Sequence, residues 1–207
     1  MKKRMEARIE KTLRNLEARE FKAFYFRTAG EAREAIIRMV PPGATVGFGG
    51  SKTVRDMGLV EALAGRTVYD HWKAGLNPVE ILDIRKKQLT AGVFITGTNA
   101  LTEKGELVNK DGVGNRVNSM AFGPGMAIVI AGINKIVPDV EAGIRRIKEI
   151  AAPMRNRSLN TKNPCVEAGK CMDCNRETRI CRILSILERR PSNSDIRVVI
   201  AGEAMGF

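Results

Sequence analysis

The segment ATVGFGGSKT, residues 44–53, decides the fold because it joins an apolar run to a glycine-rich turn and then to a helical pattern. Residues 44–48 predict a buried strand, and residues 53–63 predict a helix. Glycine lets the backbone turn sharply and approach a ligand, and the N–H groups that open a helix attract anions. We therefore expect a binding site for a small anion at Gly49, Gly50, Ser51, Lys52 and Thr53.

The same loop also allows a purely structural interpretation, in which Ser51 or Thr53 caps the helix. It is not a Walker A loop, because the Gly-Lys-Ser/Thr ending is absent, and it is not a GxGxxG fingerprint, because Thr53 replaces the third glycine. The motif predicts an anion pocket without specifying a nucleotide.

Outward from this segment, short apolar runs alternate with helical patterns. Strands are predicted at 22–26, 93–96, 126–131, 135–137 and 196–202, and helices at 2–19, 30–40, 78–89 and 139–151. This alternation predicts an α/β fold with a mainly parallel sheet and helices on both faces.

Composition excludes several classes of protein. The chain has 207 residues, of which 43% are hydrophobic and 28% charged, so it is neither disordered nor fibrous. Glycine and proline interrupt the longest apolar stretch, 120–133, which is too short for a membrane span. Charged residues from Glu6 to Lys11 occupy the place of a signal peptide's apolar core, so we expect a cytoplasmic protein.

The net charge of +12 is uneven along the chain. Residues 1–40 and 153–190 each carry +5, and the remainder carries +2. Such segments can attract polyanions, but no recognisable nucleic-acid motif accompanies them. We do not expect nucleic acid to be the main partner.

An apolar stripe runs along the first predicted helix at Met5, Ile9, Leu13 and Leu16. This stripe predicts a helix packed on its own domain or on a second subunit. We expect a homo-oligomer.

A second candidate site lies in the polar, glycine-rich region 96–116, directly after a predicted strand, where parallel sheets place ligands. Here Glu103 is the candidate general base or nucleophile, and Asn99, Asn109 and Asp111 are candidate ligand-binding residues. A plain hairpin with a solvated Glu103 and a structural Asn109 fits the spacing equally well.

The four cysteines form a C-x5-C-x2-C-x6-C array at Cys165, Cys171, Cys174 and Cys181. Four thiols in one irregular segment of a cytoplasmic protein predict metal binding rather than disulfides. A 4Fe-4S cluster is preferred slightly over zinc, because a zinc ribbon usually has two C-x2-C pairs. The alternative is free or redox-paired thiols around residues 171–174.

The composition shift at Pro153 suggests a division of the chain. We expect an α/β core over 1–152, a cysteine-containing segment over 153–193, and a strand that returns to the core within 194–207. The only histidine, His71, is interpreted mainly as a hydrogen-bonded structural residue, with lining of the ligand pocket as the alternative.

Three motifs together resemble the lactate-utilisation (LUD) domain family. They are GGSKTV with MGL at residues 49–54 and 57–59, LTEKGELV at 101–108, and AGINKIV at 131–137. The resemblance covers roughly residues 5–202, and the cysteine segment looks like the C-terminal extension of one branch of that family.

The resemblance implies a fold like that of ribose-5-phosphate isomerase and the CoA transferases, with an anion bound at residues 49–53. It also implies a role in lactate oxidation, beside iron-sulfur redox proteins as partners and with a small anionic metabolite as ligand. The sugar-phosphate enzymes have an Asp-rich motif after a middle strand, and residues 96–99 contain no aspartate. The alternative is an isomerase- or CoA-transferase-like enzyme that acts through Glu103 on a phosphorylated or carboxylate metabolite and holds a structural zinc.

Overall fold

A computed structural model describes residues 2–207, in which helices and strands alternate. The helices are α1 (Lys2–Ala18), α2 (Ala29–Met39), α3 (Lys52–Asp56), α4 (Leu59–Ala62), α5 (Pro78–Gln88), α6 (Asn115–Ala121), α7 (Val140–Arg146), α8 (Ala152–Ser158) and α9 (Cys165–Ala168). The strands are β1 (Lys22–Phe26), β2 (Val46–Phe48), β3 (Val68–Asp70), β4 (Val93–Gly97), β5 (Ala100–Thr102), β6 (Leu107–Asp111), β7 (Met126–Gly132), β8 (Ile136–Val137), β9 (Ile183–Leu187) and β10 (Ile196–Ala201). A 3-10 turn spans Ile133–Lys135, and a π-helical turn spans Ile147–Ala151.

Six parallel strands form the main sheet in the order β1-β10-β7-β4-β2-β3. Successive side chains of a strand point to opposite faces, so Ile128 and Val129 of β7 belong to different cores. The Ile128 core includes α2, α3 and α4, and the Val129 core includes α1. The predicted α/β class, with a parallel sheet covered on both faces, is confirmed.

A second sheet has four strands in the order β8-β5-β6-β9. The hairpin alternative for the Glu103 region and the predicted strand 135–137 correspond to parts of it, but β9 and the assembly into a separate sheet were not predicted from the sequence. The strands β5 and β6 form an antiparallel hairpin, β8 is parallel to β5, and β9 is antiparallel to β6. Leu101 and Leu107 of this hairpin pack in the core that contains α1, whereas Ala100 and Val108 pack in the core that contains α7. The cysteine-containing segment thus supplies an edge strand, β9.

Two predicted helices differ from those in the structure. The predicted helix 53–63 divides into α3 and α4, because Gly58 adopts a left-handed conformation with φ 62°. The predicted helix 139–151 continues through the π turn into α8 and ends at Ser158. In this turn the Ala152 N–H donates to the Ile147 carbonyl, five residues earlier, and the wider turn accommodates Pro153, which has no N–H to donate.

Side-chain caps fix the starts of α2 and α5, which have 11 residues each. Thr28 and Glu31 form a capping box at α2, and Asn77 and Glu80 form another at α5. Within residues 2–207, no helix combines the length and the apolarity that crossing a bilayer requires.

Candidate functional site

A cavity of about 260 Å³ lies at the carboxyl ends of the parallel strands. Its walls include the loops that follow β2, β3 and β4 and the 3-10 turn that follows β7. Side chains from the α7–α8 region and from the end of the cysteine segment close the opposite side. Open parallel sheets commonly bind ligands at this edge.

The predicted glycine-rich loop lies at this cavity. Gly50, Ser51, Lys52 and Thr53 line it, whereas Gly49 lies just behind the lining. The Ser51 hydroxyl also accepts a hydrogen bond from the Val54 N–H at 3.5 Å, so the capping interpretation is confirmed. The loop therefore combines a structural cap with a position on the cavity wall.

Gly97, at the end of β4, allows the close packing on which this wall depends. A Cβ atom at this position would lie 2.5 Å from the Ser51 Oγ, which is closer than real Cβ atoms approach. The absence of a side chain therefore lets β4 and the Ser51 loop meet at the cavity floor.

Positive charge dominates the cavity. Six lysine and arginine side chains line it, against one carboxylate, that of Asp111. Two of the six form ion pairs, Lys52 with Asp56 at 2.5 Å and Arg116 with Asp111 at 3.3 Å. Within residues 2–207, the other four have no acidic partner at ion-pair distance: Arg85, Lys110, Lys135 and Arg155.

Lys135 is the most deeply buried of these four, with 4% of its surface exposed. Its ammonium group donates a hydrogen bond of 2.7 Å to the Thr53 Oγ1, a neutral acceptor. Burial, followed by the positive charges of Arg146 and Arg116, lowers the pKa of Lys135 to about 7, and Asp56 opposes this effect. An amine that is partly unprotonated at neutral pH thus lies in the cavity wall.

Arg85 and Arg155 also lack an acidic partner at ion-pair distance among the described residues. Among the described residues the buried Nε of Arg85 has no hydrogen-bond partner. Burial lowers the pKa of both guanidinium groups, although both remain protonated at neutral pH. The Arg155 guanidinium lies over the Trp72 ring, with its Cζ 4.6 Å from the ring centroid.

His71 both lines the cavity and has a structural hydrogen bond. The side-chain nitrogen of Gln88 lies within hydrogen-bond distance of the Phe48 and Tyr69 carbonyls and, at 2.8 Å, of the His71 Nδ1, and its two hydrogens are shared among these three acceptors. Because that nitrogen of Gln88 can only donate, Nδ1 accepts and the ring proton resides on Nε2. Burial, together with the positive charge of Arg85, lowers the pKa of His71 to about 4, so the ring is neutral at pH 7.

Asp111 lines the cavity but is engaged by its own loop. Its carboxylate accepts hydrogen bonds from the N–H groups of Gly112, Val113, Gly114 and Val117 and from Arg116. Burial alone would raise the pKa of Asp111, but Arg116 and the loop N–H groups hold it below its usual value. This carboxylate organises the turn that begins α6.

The side chains of the two asparagines of the second candidate site bind backbone N–H groups of the same hairpin, Asn109 that of Asn99 and Asn99 that of Lys110. The Asn99 N–H donates to the Asn109 Oδ1 at 3.1 Å, and the Asn99 Oδ1 accepts from the Lys110 N–H at 2.8 Å. Asn99 lines the cavity, whereas Asn109 lies outside the lining. The structural role considered for Asn109 is present in this hairpin.

Glu103 lies in the β5–β6 turn and is not among the residues that line the cavity. Its carboxylate accepts from Arg8 at 2.7 Å and from Lys11 at 3.2 Å, both on α1. Partial burial would raise the pKa of Glu103, but these two cations lower it. The structure therefore attaches Glu103 to α1 and does not bring it to the predicted ligand site.

The four cysteines are unpaired thiols in the segment beside the cavity, and Cys181 lines the cavity itself. Burial, followed by the proximity of Cys174 and Cys171, raises the pKa of Cys165. The Arg179 side chain holds this segment by donating to the carbonyls of Cys174 and Cys181 at 2.7 and 2.8 Å. Within residues 2–207, however, no three His, Cys, Asp or Glu side chains lie close enough together to hold a metal ion.

Sequence reasoning missed most of the cationic lining. Lys135 carried a usable signal, because it is the only charged residue in the apolar stretch 126–137. Arg85 and Arg155 carried none, since α5 also contains Lys86 and Lys87 and α8 also contains Arg157, and only the tertiary fold selects one basic residue of each helix.

The fold is similar to that of a solved structure. A DUF162 family protein from Deinococcus radiodurans aligns with a TM-score of 0.55 and 14% identity, covering 97% of this chain and 98% of that protein. At this identity the likeness establishes the fold alone. No curated protein matches the sequence significantly.

A family model assigns the sequence more directly. The model of the LUD domain matches residues 9–201, which include both sheets and the strands whose loops form the cavity. The family is linked to lactate utilisation. The chain therefore belongs to the LUD domain family.

Proposed function

We propose that this protein binds a small organic acid, of the 2-hydroxy or 2-oxo carboxylate class, in the cationic cavity and serves the oxidation of lactate or a related acid. One observation carries the proposal: beside the partly unprotonated Lys135, the basic side chains of Arg85, Lys110 and Arg155 line the cavity with no acidic partner at ion-pair distance within the described residues. A cleft lined mainly by one sign of charge attracts ligands of the opposite sign, so this excess of positive charge favours an anionic ligand. The link between the LUD domain family and lactate utilisation supports the choice of acid.

In the proposed complex, the carboxylate of the ligand accepts hydrogen bonds from side-chain donors that have no other acceptor among the described residues. Arg85 has an Nε without a partner among the described residues, and guanidinium groups bind carboxylates well. The neutral His71 ring retains an N–H on Nε2, and the hydroxyl of Ser51 adds a further polar group to the same wall. A cavity of about 260 Å³ has room for a ligand of a few heavy atoms.

Isothermal titration calorimetry with L-lactate and pyruvate tests this proposal. The variant Arg85→Gln removes one cavity cation and is expected to weaken binding by roughly 10- to 100-fold, the effect of losing a hydrogen bond to a charged group. The matched control is Lys86→Gln, which removes an exposed charge from the same helix and should leave the affinity unchanged. The proposal fails if neither acid binds to the wild-type protein or if the two variants behave alike.

We further propose that the four cysteines hold a metal centre, with a 4Fe-4S cluster preferred over zinc, and that iron-sulfur proteins are the redox partners. Four thiols form a suitable donor set for either group, and Arg179 holds the backbone of this segment. A bound cluster would supply electron transfer, whereas zinc would stabilise the segment. Cys181 would place either group beside the cavity.

Metal analysis of protein purified without oxygen tests this second proposal. About four irons and four sulfides per chain would indicate the cluster, and one zinc would indicate a structural site. Cys174→Ser should lose the metal, whereas Ser158→Ala, an exposed hydroxyl in α8, should retain it. The absence of both metals from the wild-type protein would contradict the proposal.

A further inference from the structure

Lys135 has surroundings that differ from those of a lysine that only balances charge. It is almost completely buried, it lines the cavity, and its one side-chain hydrogen bond within the described residues is to the hydroxyl of Thr53. A buried ammonium group is normally paired with a carboxylate. Here the structure provides an open cavity and a neutral oxygen instead.

The charged groups around Lys135 are mostly of its own sign. Arg146 is fixed by donating to the carbonyls of Asn134 and Asn99, at 3.0 and 2.7 Å, and Arg116 is fixed by Asp111. Only Asp56 exerts an opposing influence. This arrangement disfavours the ammonium form and favours a neutral amine with a lone pair available for reaction.

We propose that Lys135 forms a reversible imine with the carbonyl group of a 2-oxo acid held in the cavity. The amine nitrogen attacks the carbonyl carbon to give a carbinolamine, which loses its hydroxyl as water. One C=N bond replaces one C=O bond, and no oxidant or reductant is required. The inference rests on the proposed function, because it assumes that the cavity accepts an acid that also has a carbonyl group.

The roles of the other cavity groups follow from this assignment. Arg85 and Arg155 have no acidic partners in the described part of the chain and can hold the carboxylate of such an acid. Thr53, which accepts from Lys135 at 2.7 Å, orients the nitrogen and can relay a proton as water leaves. The 3-10 turn between β7 and β8 fixes the position of the lysine backbone.

Reductive trapping with pyruvate and sodium borohydride tests the imine. The wild-type protein is expected to gain the mass of one carboxyethyl group, located by peptide mapping on Lys135. L-lactate has no carbonyl group and should give no adduct. Lys135→Met should abolish the adduct, whereas Lys86→Met, which changes an exposed lysine of α5, should retain it. Peptide mapping of the wild-type protein alone decides the assignment if Lys135→Met does not fold.

The outcomes separate this inference from the proposed function. If calorimetry detects pyruvate binding but borohydride traps nothing on Lys135, the imine is wrong and the anion site stands. An adduct found only on other lysines would also show that Lys135 does not form the imine. If neither acid binds and no adduct forms, both proposals fail.

Discussion

His71 lines the cavity wall and has a pKa well below that of a free histidine. Gln88 holds its Nδ1 as an acceptor, and burial lowers the pKa of the ring from 6.5 to about 4. Between about pH 4 and pH 6.5, His71 therefore binds a proton in the unfolded chain but not in the folded protein. The free energy of unfolding should therefore fall as the pH is lowered from about 6.5 toward 4.

His71→Asn removes this titration and keeps an acceptor near the position of Nδ1. From the size of the pKa shift, we expect the wild-type protein to lose on the order of 2 kcal/mol more stability than the variant between pH 7 and pH 4.5. Urea unfolding of both proteins at the two pH values measures this difference in stability. The carboxylates are the same in both proteins, so their contribution to the pH dependence cancels. Equal losses in the two proteins would show that His71 does not titrate as described.

At the residue scale, the glycine-rich loop of the cavity could be predicted from the sequence, whereas most of the basic side chains that line the cavity could not. Ser51 and Thr53 could be placed at the cavity because a glycine-rich turn follows a strand, which is a local pattern. Arg85 and Arg155 are distant in sequence and enter one cavity only through tertiary packing. Lys135, the one lysine buried among the residues whose burial is described, could have been identified from the apolar sequence on either side of it.

At the element scale, Glu103 attaches helix α1 to the β5–β6 hairpin. It accepts from Arg8 and Lys11, and its backbone carbonyl accepts from Asn15 at 2.6 Å. Glu103→Gln should lower the free energy of unfolding by about 1 kcal/mol, since these ion pairs are only partly buried. The affinity for L-lactate should not change, because Glu103 lies outside the cavity lining.

Denaturant unfolding and calorimetry on the same preparation test this assignment. Glu17→Gln makes the same charge change at an exposed position of α1 and serves as the control. A Glu103 variant with wild-type stability but impaired ligand binding would restore the interpretation of Glu103 as a reactive group.

The elements that the sequence predicted well have strong and simple patterns. In α1 the apolar residues recur with the period of a helix, as expected for a helix with one face buried. In β7 the apolar residues are continuous, as expected for a strand buried on both faces. The second sheet was missed because β6 reads LVNKD, with only two apolar residues. Its pairing with β9 depends on a segment more than 70 residues away.

At the scale of the whole molecule, the basic residues behind the net charge of +12 include two groups with different surroundings. Basic residues of α1 and of the segment after β9 form ion pairs that hold distant parts of the chain together, such as Arg8 with Glu103 and Arg190 with Glu20. The cavity instead concentrates cations without acidic partners among the described residues. Under the proposed function, the anion binds in the cavity rather than over the basic surface.

The most direct test compares L-lactate with lactamide, its neutral amide of nearly the same shape, by calorimetry at low ionic strength. We expect one lactate site per chain and an affinity for lactamide that is weaker by at least roughly tenfold, because the amide cannot form charge-assisted hydrogen bonds of the same strength with the guanidinium groups. Equal affinities for the two compounds, or no binding of either, would contradict the claim that the cavity recognises a small organic anion.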